Sequence, residues 1–323
     1  MWGLLALIVV PVSGWLVQRR AEARDRKRYP APGRMIDVDG INIHVVVEGS
    51  GPVVLLDSGL GGCSTEWERV AADLSRDFTV IRYDRPAFGW SPAAKVDTSP
   101  QAAANRIAAI LRALDLPGRA ILVGHSLGGL HVRMTALLHP QLVAGLVLVD
   151  PSDEDMLASP MAARSAAISA RVMSALATTA PLGSARVIGR LFARMVSGQV
   201  HRVLPAEERD ALKCATLLNA CSVTGLRAAV AEIGALPASL RQVKELSQGK
   251  KFPPIPVILI SADAAPRNER ERTARATVRE LHEAQIAGLP AGRLVLAADS
   301  GHLVPLDQPE LIAECVREVA CTH

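Results

Sequence analysis

Between Ser152 and Gly249 the chain carries a single aromatic residue, Phe192. A cavity roofed by such a segment is lined mainly by aliphatic side chains, which disfavours sugar stacking or an aromatic cage and favours alkyl or acyl groups. Cysteine is scarce and odd in number. Cys63, Cys214, Cys221, Cys315 and Cys321 show neither zinc nor redox spacing, so no disulfide framework and no metal centre are expected, and the thiols suit a reducing compartment. The glycine-rich loop Ser58-Gly-Leu-Gly-Gly62 lacks both the Gly-x-Gly-x-x-Gly spacing and the Lys-Ser/Thr of a P-loop. It is a source of backbone N–H groups rather than a phosphate cradle, and no cofactor is expected. Excess charge is small too: the net charge is +4, and Arg19, Arg20, Arg24, Arg26, Lys27 and Arg28 against Glu22 and Asp25 account for all of it. The rest of the chain is neutral overall, which gives no basis for nucleic-acid binding.

Ahead of that basic cluster, Trp2 to Val17 is apolar apart from Ser13, with Pro11 and Gly14 interrupting it. As a helix this run spans about 24 Å, short of a hydrocarbon core about 30 Å thick. A cleaved signal would carry its positive charge before the apolar core, whereas here it follows. The expectation is an uncleaved membrane anchor over residues 1–18 that touches membrane lipid, with a signal peptide or an interfacial helix as alternatives. A basic juxtamembrane linker over 19–33 then leads to a membrane-associated domain on the cytoplasmic side.

After the linker, Met35–Val38 and Ile41–Val47 flank Asp39-Gly40 as a β-hairpin. Val53–Asp57, Phe78–Asp84, Ile121–His125, Val143–Asp150, Ile255–Ser261 and Arg293–Ala298 are apolar without alternation, and helical patterns separate most of them. That combination indicates a parallel sheet covered on both faces, hence an α/β fold. Thr65 with Glu68 suggests a capping box for a helix ending near Leu74, and Asp307 a cap for the closing helix. Residues 151–250 change to helical periods, with Pro181, Pro205 and Pro237 as breaks. They form a helical insertion in a core made of 34–150 and 251–323.

The run Ile121–Leu130 passes through Gly124-His-Ser-Leu-Gly128 into helix-like sequence. It reads as a strand, a sharp turn and a helix with Ser126 at the apex, in a conformation that needs glycine on both sides. A Gly-x-Ser-x-Gly arises by chance in roughly one chain in ten of this length, so its partners must decide its meaning. A serine hydroxyl becomes a nucleophile when an imidazole takes its proton and a carboxylate fixes the imidazole tautomer. His302 follows the last strand, where a parallel sheet presents its site. His44, His131 and His139 read as structural, and so does His125, which belongs to the turn and points elsewhere.

Asp57-Ser-Gly-Leu-Gly-Gly62, Tyr83-Asp-Arg-Pro-Ala-Phe-Gly-Trp-Ser91, Gly124-His-Ser-Leu-Gly-Gly129, Leu146-Val-Leu-Val-Asp150 and Ser300-Gly-His302 occur in that order. Together they resemble the α/β-hydrolase superfamily, and in it a bacterial serine-hydrolase subgroup with the same nucleophile turn. The resemblance implies a mostly parallel eight-stranded sheet with helices on both faces and a helical lid. It also implies Ser126 as nucleophile, His302 as base, and the N–H groups of Leu60 and Leu127 as oxyanion hole. Many relatives carry the acid in a Gly-x-x-Asp after the seventh strand, but Ala262-Asp-Ala-Ala265 stands here. Asp150, at the end of the sixth strand, is the first candidate acid; Asp263 is the alternative, and Asp153 a further one. The function so implied is a cofactor-free serine hydrolase acting on an ester, thioester or lipid-like acyl substrate. Alternatives are C–C cleavage or haloperoxidation on the same triad, and a non-catalytic membrane-tethered binding protein.

Overall fold

A computed structural model describes residues 2–197, 200–201 and 203–322. The chain opens on helix α1 (Trp2–Arg28), followed by β1 (Arg34–Val38), β2 (Ile41–Glu48), β3 (Val53–Asp57), α2 (Glu68–Leu74), β4 (Thr79–Tyr83), α3 (Pro100–Leu114), β5 (Ala120–His125), α4 (Leu127–Leu138) and β6 (Val143–Val149). Four helices then come in succession: α5 (Pro160–Thr178), α6 (Ser184–Ser197), α7 (Ala206–Leu218) and α8 (Val223–Gly249). The sheet resumes with β7 (Val257–Asp263), α9 (Glu269–Ala287), β8 (Gly292–Ala298), the single turn α10 (Val304–Asp307) and α11 (Pro309–Cys321).

The eight strands lie in the order β1-β2-β4-β3-β5-β6-β7-β8. The β1–β2 and β2–β4 pairs are antiparallel and every other pair is parallel. Because the parallel strands are buried on both faces, their apolar runs need no alternation. On one face Val54, Leu56, Val123 and Val147 pack against Trp67 and Val70, beside and on α2, and Ile312 and Val316 of α11. On the other, Leu55, Leu122, Leu146 and Leu148 pack against Ile107 and Ile110 of α3 and Val132 of α4. Each such aliphatic side chain contributes about 1.5–3 kcal/mol by leaving water. Together they hold the strand ends, and the loops that follow them, in fixed places.

Several local expectations are corrected. Residues 19–28 are not a linker: α1 runs unbroken through the basic cluster. Its C-terminal half is fastened to the helices between β6 and β7, with Gln18 Nε2 donating to the Cys221 carbonyl at 2.9 Å and the Val223 N–H to Glu22 at 2.8 Å. Gly14 lies so close to Leu182 that a Cβ would meet its backbone oxygen. Among the described residues no single helix is long and apolar enough to cross a membrane; the side chains of residues 1–10 fall outside the description.

Pro237 does not break the chain; it lies inside α8, whose neighbours hold the helix through the one missing amide. The Thr65–Glu68 capping box does not form, because a 3-10 turn over Ser64–Trp67 precedes α2 and no side chain caps either element. Asp307 does not cap α11 either; Gln308 holds that position and Asp307 is used elsewhere.

Candidate active site

Ser126 sits between β5 and α4 at φ 52°, ψ −115°, a left-handed region that a non-glycine residue enters only when its surroundings force it. Two forces act here. The Ser126 N–H is held by the Val149 carbonyl of the next strand at 3.0 Å. Meanwhile strand and helix cross so closely that a Cβ on Gly124 would strike the Gly128 backbone, and one on Gly128 the Asp57 carbonyl. The hydroxyl is thereby projected above the C-terminal edge of the sheet.

His302 reaches that hydroxyl from the loop after β8, with Nε2 3.1 Å from Ser126 Oγ. Its Nδ1 lies 2.6 Å from Asp150 Oδ2. The other carboxylate oxygen of Asp150 accepts the Ala262 N–H at 2.9 Å, and the Asp150 N–H is bound by the Ile260 carbonyl at 2.7 Å. Burial pushes this carboxyl upward, but the His302 hydrogen bond and imidazole charge outweigh it and hold Asp150 below the usual carboxylate range. Asp263 is not brought to the site: it is 43% exposed and faces Arg279 at 3.5 Å. Asp153 accepts from Gln285 at 3.2 Å and from the Asp155 N–H, away from His302.

The loop bearing His302 is ordered by Asp307. One of its oxygens accepts the Gly301 N–H at 3.0 Å, and the other the His201 N–H at 2.7 Å. His125 does not point elsewhere. Its ring lies 4.8 Å from that of His302, its Nε2 donates to the His302 carbonyl at 2.8 Å, and its Nδ1 pairs with Glu66. Burial alone would lower its proton affinity, but the Glu66 carboxylate outweighs burial and raises it. With both ring nitrogens donating, His125 links the base loop to Glu66, whose second oxygen accepts the Gly59 N–H at 3.2 Å.

That N–H belongs to the loop holding Leu60. Its shape is set by Arg85, buried, whose guanidinium donates to the Ser58 and Gly59 carbonyls at 2.7 Å each, to Asp57 at 3.1 Å and to Glu232 of α8 at 2.9 Å. Glu232 in turn accepts the Gly61 N–H at 2.9 Å. The Ser58 and Gly59 carbonyls are thus turned onto Arg85, and Leu60 follows them in the loop. The Leu127 N–H opens α4 and has no intrahelical acceptor. Sequence reasoning missed Glu66, Arg85 and Glu232. Arg85 was signalled by its place in the Tyr83–Ser91 motif; nothing near Glu232 marks it.

Two clefts meet at Ser126 and His302. One, of about 320 Å³, is lined by Leu60, Leu212, Ala215, Ala220, Leu303 and Leu306. The other, of about 490 Å³, is more polar, with Asp153, Arg267, Glu271 and Arg275 on its wall. Cys63 borders the first cleft, but burial, aided by the Asp84 charge, pushes its thiol up to about 12, so it offers no thiolate. His44 pairs with Asp84 at 2.8 Å, His131 with Asp57 at 2.7 Å and His139 with Asn105 at 2.8 Å, all away from Ser126. Among the described residues no group of three His, Cys, Asp or Glu side chains is arranged to hold a metal.

Residues 53–315 match the model of the alpha/beta hydrolase family. The chain belongs to that family. This alpha/beta hydrolase is 38% identical over 133 residues to an uncharacterized protein of Mycobacterium tuberculosis, covering 39% of each chain. It is 35% identical over 117 residues to the 2-(acetamidomethylene)succinate hydrolase of Mesorhizobium japonicum, covering 36% of this chain and 42% of that one. The matches thus span about two fifths of these curated relatives. Among solved structures, a thermophilic esterase from Thermogutta terrifontis superimposes with a TM-score of 0.67 at 22% identity, over 90% of this chain and 99% of that one. At that identity the likeness concerns the fold.

Proposed function

We propose that this alpha/beta hydrolase is a serine hydrolase that cleaves an ester, thioester or lipid-like acyl substrate through an acyl-enzyme. The reading rests on one observation: His302 touches Ser126 through one ring nitrogen and Asp150 through the other. In that tautomer Nδ1–H is donated to the carboxylate and Nε2 is free to accept the serine proton. Ser126 Oγ attacks the acyl carbon as His302 Nε2 takes its proton, and the carbonyl oxygen becomes an oxyanion between the Leu60 and Leu127 N–H groups. Each such donor contributes roughly 3 kcal/mol to the transition state. Collapse expels the leaving group, which takes the proton from Nε2. Water, deprotonated by the same nitrogen, then frees the acid and restores Ser126.

The acyl group fits the 320 Å³ cleft, because its lining from the helical segment is mostly small and aliphatic, with Thr216 and Asn219 as the polar members, and the Leu60 loop lines it too. The leaving group lies toward the polar cleft. In this reading residues 151–250 act as a lid, tied to the oxyanion loop through Glu232. We extend the proposal to contact of the N-terminal segment with a membrane surface, carried by its apolar run and the basic cluster after it.

A fluorophosphonate probe tests the core of the reading. Covalent labelling of the wild type that disappears in Ser126→Ala is expected; equal labelling of both, or of neither, refutes the hydrolase reading and leaves a binding protein. A series of chromogenic esters of rising acyl length then reports the size of the acyl cleft.

A further inference from the structure

A third cavity, of about 1000 Å³, opens between α1, α6 and α7, away from Ser126. Arg24 and Arg28 from α1, Arg186, Arg190 and Arg194 from α6, and Lys213 from α7 line it, and Asp25 is the one carboxylate among its lining residues. The spacing is i, i+4 on α1 and i, i+4, i+8 on α6, so like charges share a helix face. Such pairs are destabilising when nothing sits between them.

Asp25 is already engaged, by Arg186 and, at 3.9 Å, by Arg24. Arg186 is more than nine-tenths buried. A concentration of cations around a concave site with one spent carboxylate calls for an anion, and guanidinium forks match phosphate oxygens.

The same cavity has an apolar side made by Leu204, Leu212 and Leu217, with Val203 91% exposed at its edge. Two to three turns before Arg24, α1 exposes Val12, Trp15, Leu16 and Val17, and α6 exposes Val187 and Leu191. Cations at a cavity beside an exposed apolar surface suit a ligand with a phosphate head and a hydrocarbon tail.

We propose that this cavity is a phosphate-binding site, occupied by the phosphate of an anionic membrane phospholipid. It stands apart from the serine chemistry, although Ala193, Leu212 and Thr216 also line the apolar catalytic cleft, so the two sites share a wall.

The test is co-sedimentation of the full chain with phosphatidylcholine vesicles, with and without phosphatidylglycerol, a binding readout that does not depend on turnover. Two double variants are compared: Arg190→Gln with Lys213→Gln inside the cavity, and Arg20→Gln with Arg26→Gln, which are exposed on α1 outside it. Diffuse attraction to an anionic surface is worth about fivefold per charge wherever the charge sits near that surface. Equal losses in the two variants therefore overturn the site.

The expected result is a loss at least about tenfold greater for the cavity pair, reflecting direct phosphate contacts. Thermal unfolding with glycerol phosphate at matched ionic strength forms the second arm. Protection that needs Arg190 and Lys213, together with a cavity-dependent loss of vesicle binding, supports the proposal. Protection without any cavity dependence of vesicle binding assigns the site to soluble phosphate esters and overturns the lipid source. Melting curves of both variants check that they fold.

Discussion

Replacing Asp150 with asparagine separates the two carboxylates that the sequence leaves in competition. Asp150 has two duties: Oδ1 accepts the Ala262 N–H at 2.9 Å and Oδ2 accepts from His302 Nδ1 at 2.6 Å. An asparagine that keeps its oxygen on Ala262 turns its amide N–H₂ toward His302. Nδ1 must then act as acceptor, the proton moves to Nε2, and Nε2 can no longer take the proton of Ser126. An asparagine flipped the other way keeps the tautomer but sets two N–H donors, its own and that of Ala262, against each other in a site where Asp150 is only 8% exposed. It also loses the negative charge that stabilises the imidazolium. Loss of the working tautomer in such a triad costs roughly ten-thousandfold in kcat, or about 5 kcal/mol of transition-state stabilisation.

Asp263→Asn is the internal control, because that side chain is 43% exposed and faces Arg279 at 3.5 Å; its kcat should stay within about twofold. Steady-state hydrolysis of a chromogenic ester by the two variants decides the matter, with KM expected to move little. If Asp150→Asn keeps more than about a tenth of the wild-type kcat, the triad drawn from the geometry is wrong. A large loss in Asp263→Asn would overturn it as well.

Glu66→Gln should lower kcat by about tenfold by releasing the His302 loop and the Gly59 amide, and should lower stability by about 3 kcal/mol at pH 6. His125 binds its proton more tightly folded than unfolded. That contribution is therefore complete below the unfolded value near ~6.5 and is lost as pH rises through the folded one. Urea titrations across pH should show the gap between wild type and variant closing as pH rises. Arg85→Met leaves Asp57 its bond to His131 but leaves Glu232 buried without its guanidinium, and should cost about 3–5 kcal/mol, with part regained in Arg85→Met/Glu232→Leu; a loss under about 1 kcal/mol would contradict the network. In acid the direction reverses. Burial raises Asp57 and Asp150, but His131 and His302 respectively outweigh it and leave both carboxyls below their ordinary values. Their contribution is complete above the unfolded value near ~3.9 and fades as pH falls through the folded ones. Unfolding at about pH 3 should consequently need less urea than at pH 6, and Asp57→Asn should flatten that dependence.

Much of the core was legible because it depends on local pattern. A strand buried on both faces needs an unbroken apolar run, and Val53–Asp57, Ala120–His125 and Val143–Val149 have one. The turn at Ser126 was legible for a related reason: Gly124 is demanded by the Gly128 backbone four residues on, although the room that Gly128 makes is for the Asp57 carbonyl of a distant strand. Caps were less legible. Thr65 and Asp307 carry the right side chains, but a 3-10 turn and the His302 loop claimed those positions.

Sequence alone therefore determined the strands, the nucleophile turn and the presence of a histidine after the last strand, because each is encoded within a short window. Tertiary structure decided which carboxylate stands behind His302: Asp150 lies 152 positions away and Asp263 only 39, and β7, which carries Asp263, even separates β6 from β8, yet the loop after β8 reaches across to Asp150 while Asp263 turns outward toward α9. It also decided that Glu66 and His125 brace the base and that Arg85 and Glu232 shape the oxyanion loop. Those contacts join residues far apart in the chain, and only the packing of the sheet against its helices brings their charges within hydrogen-bonding distance.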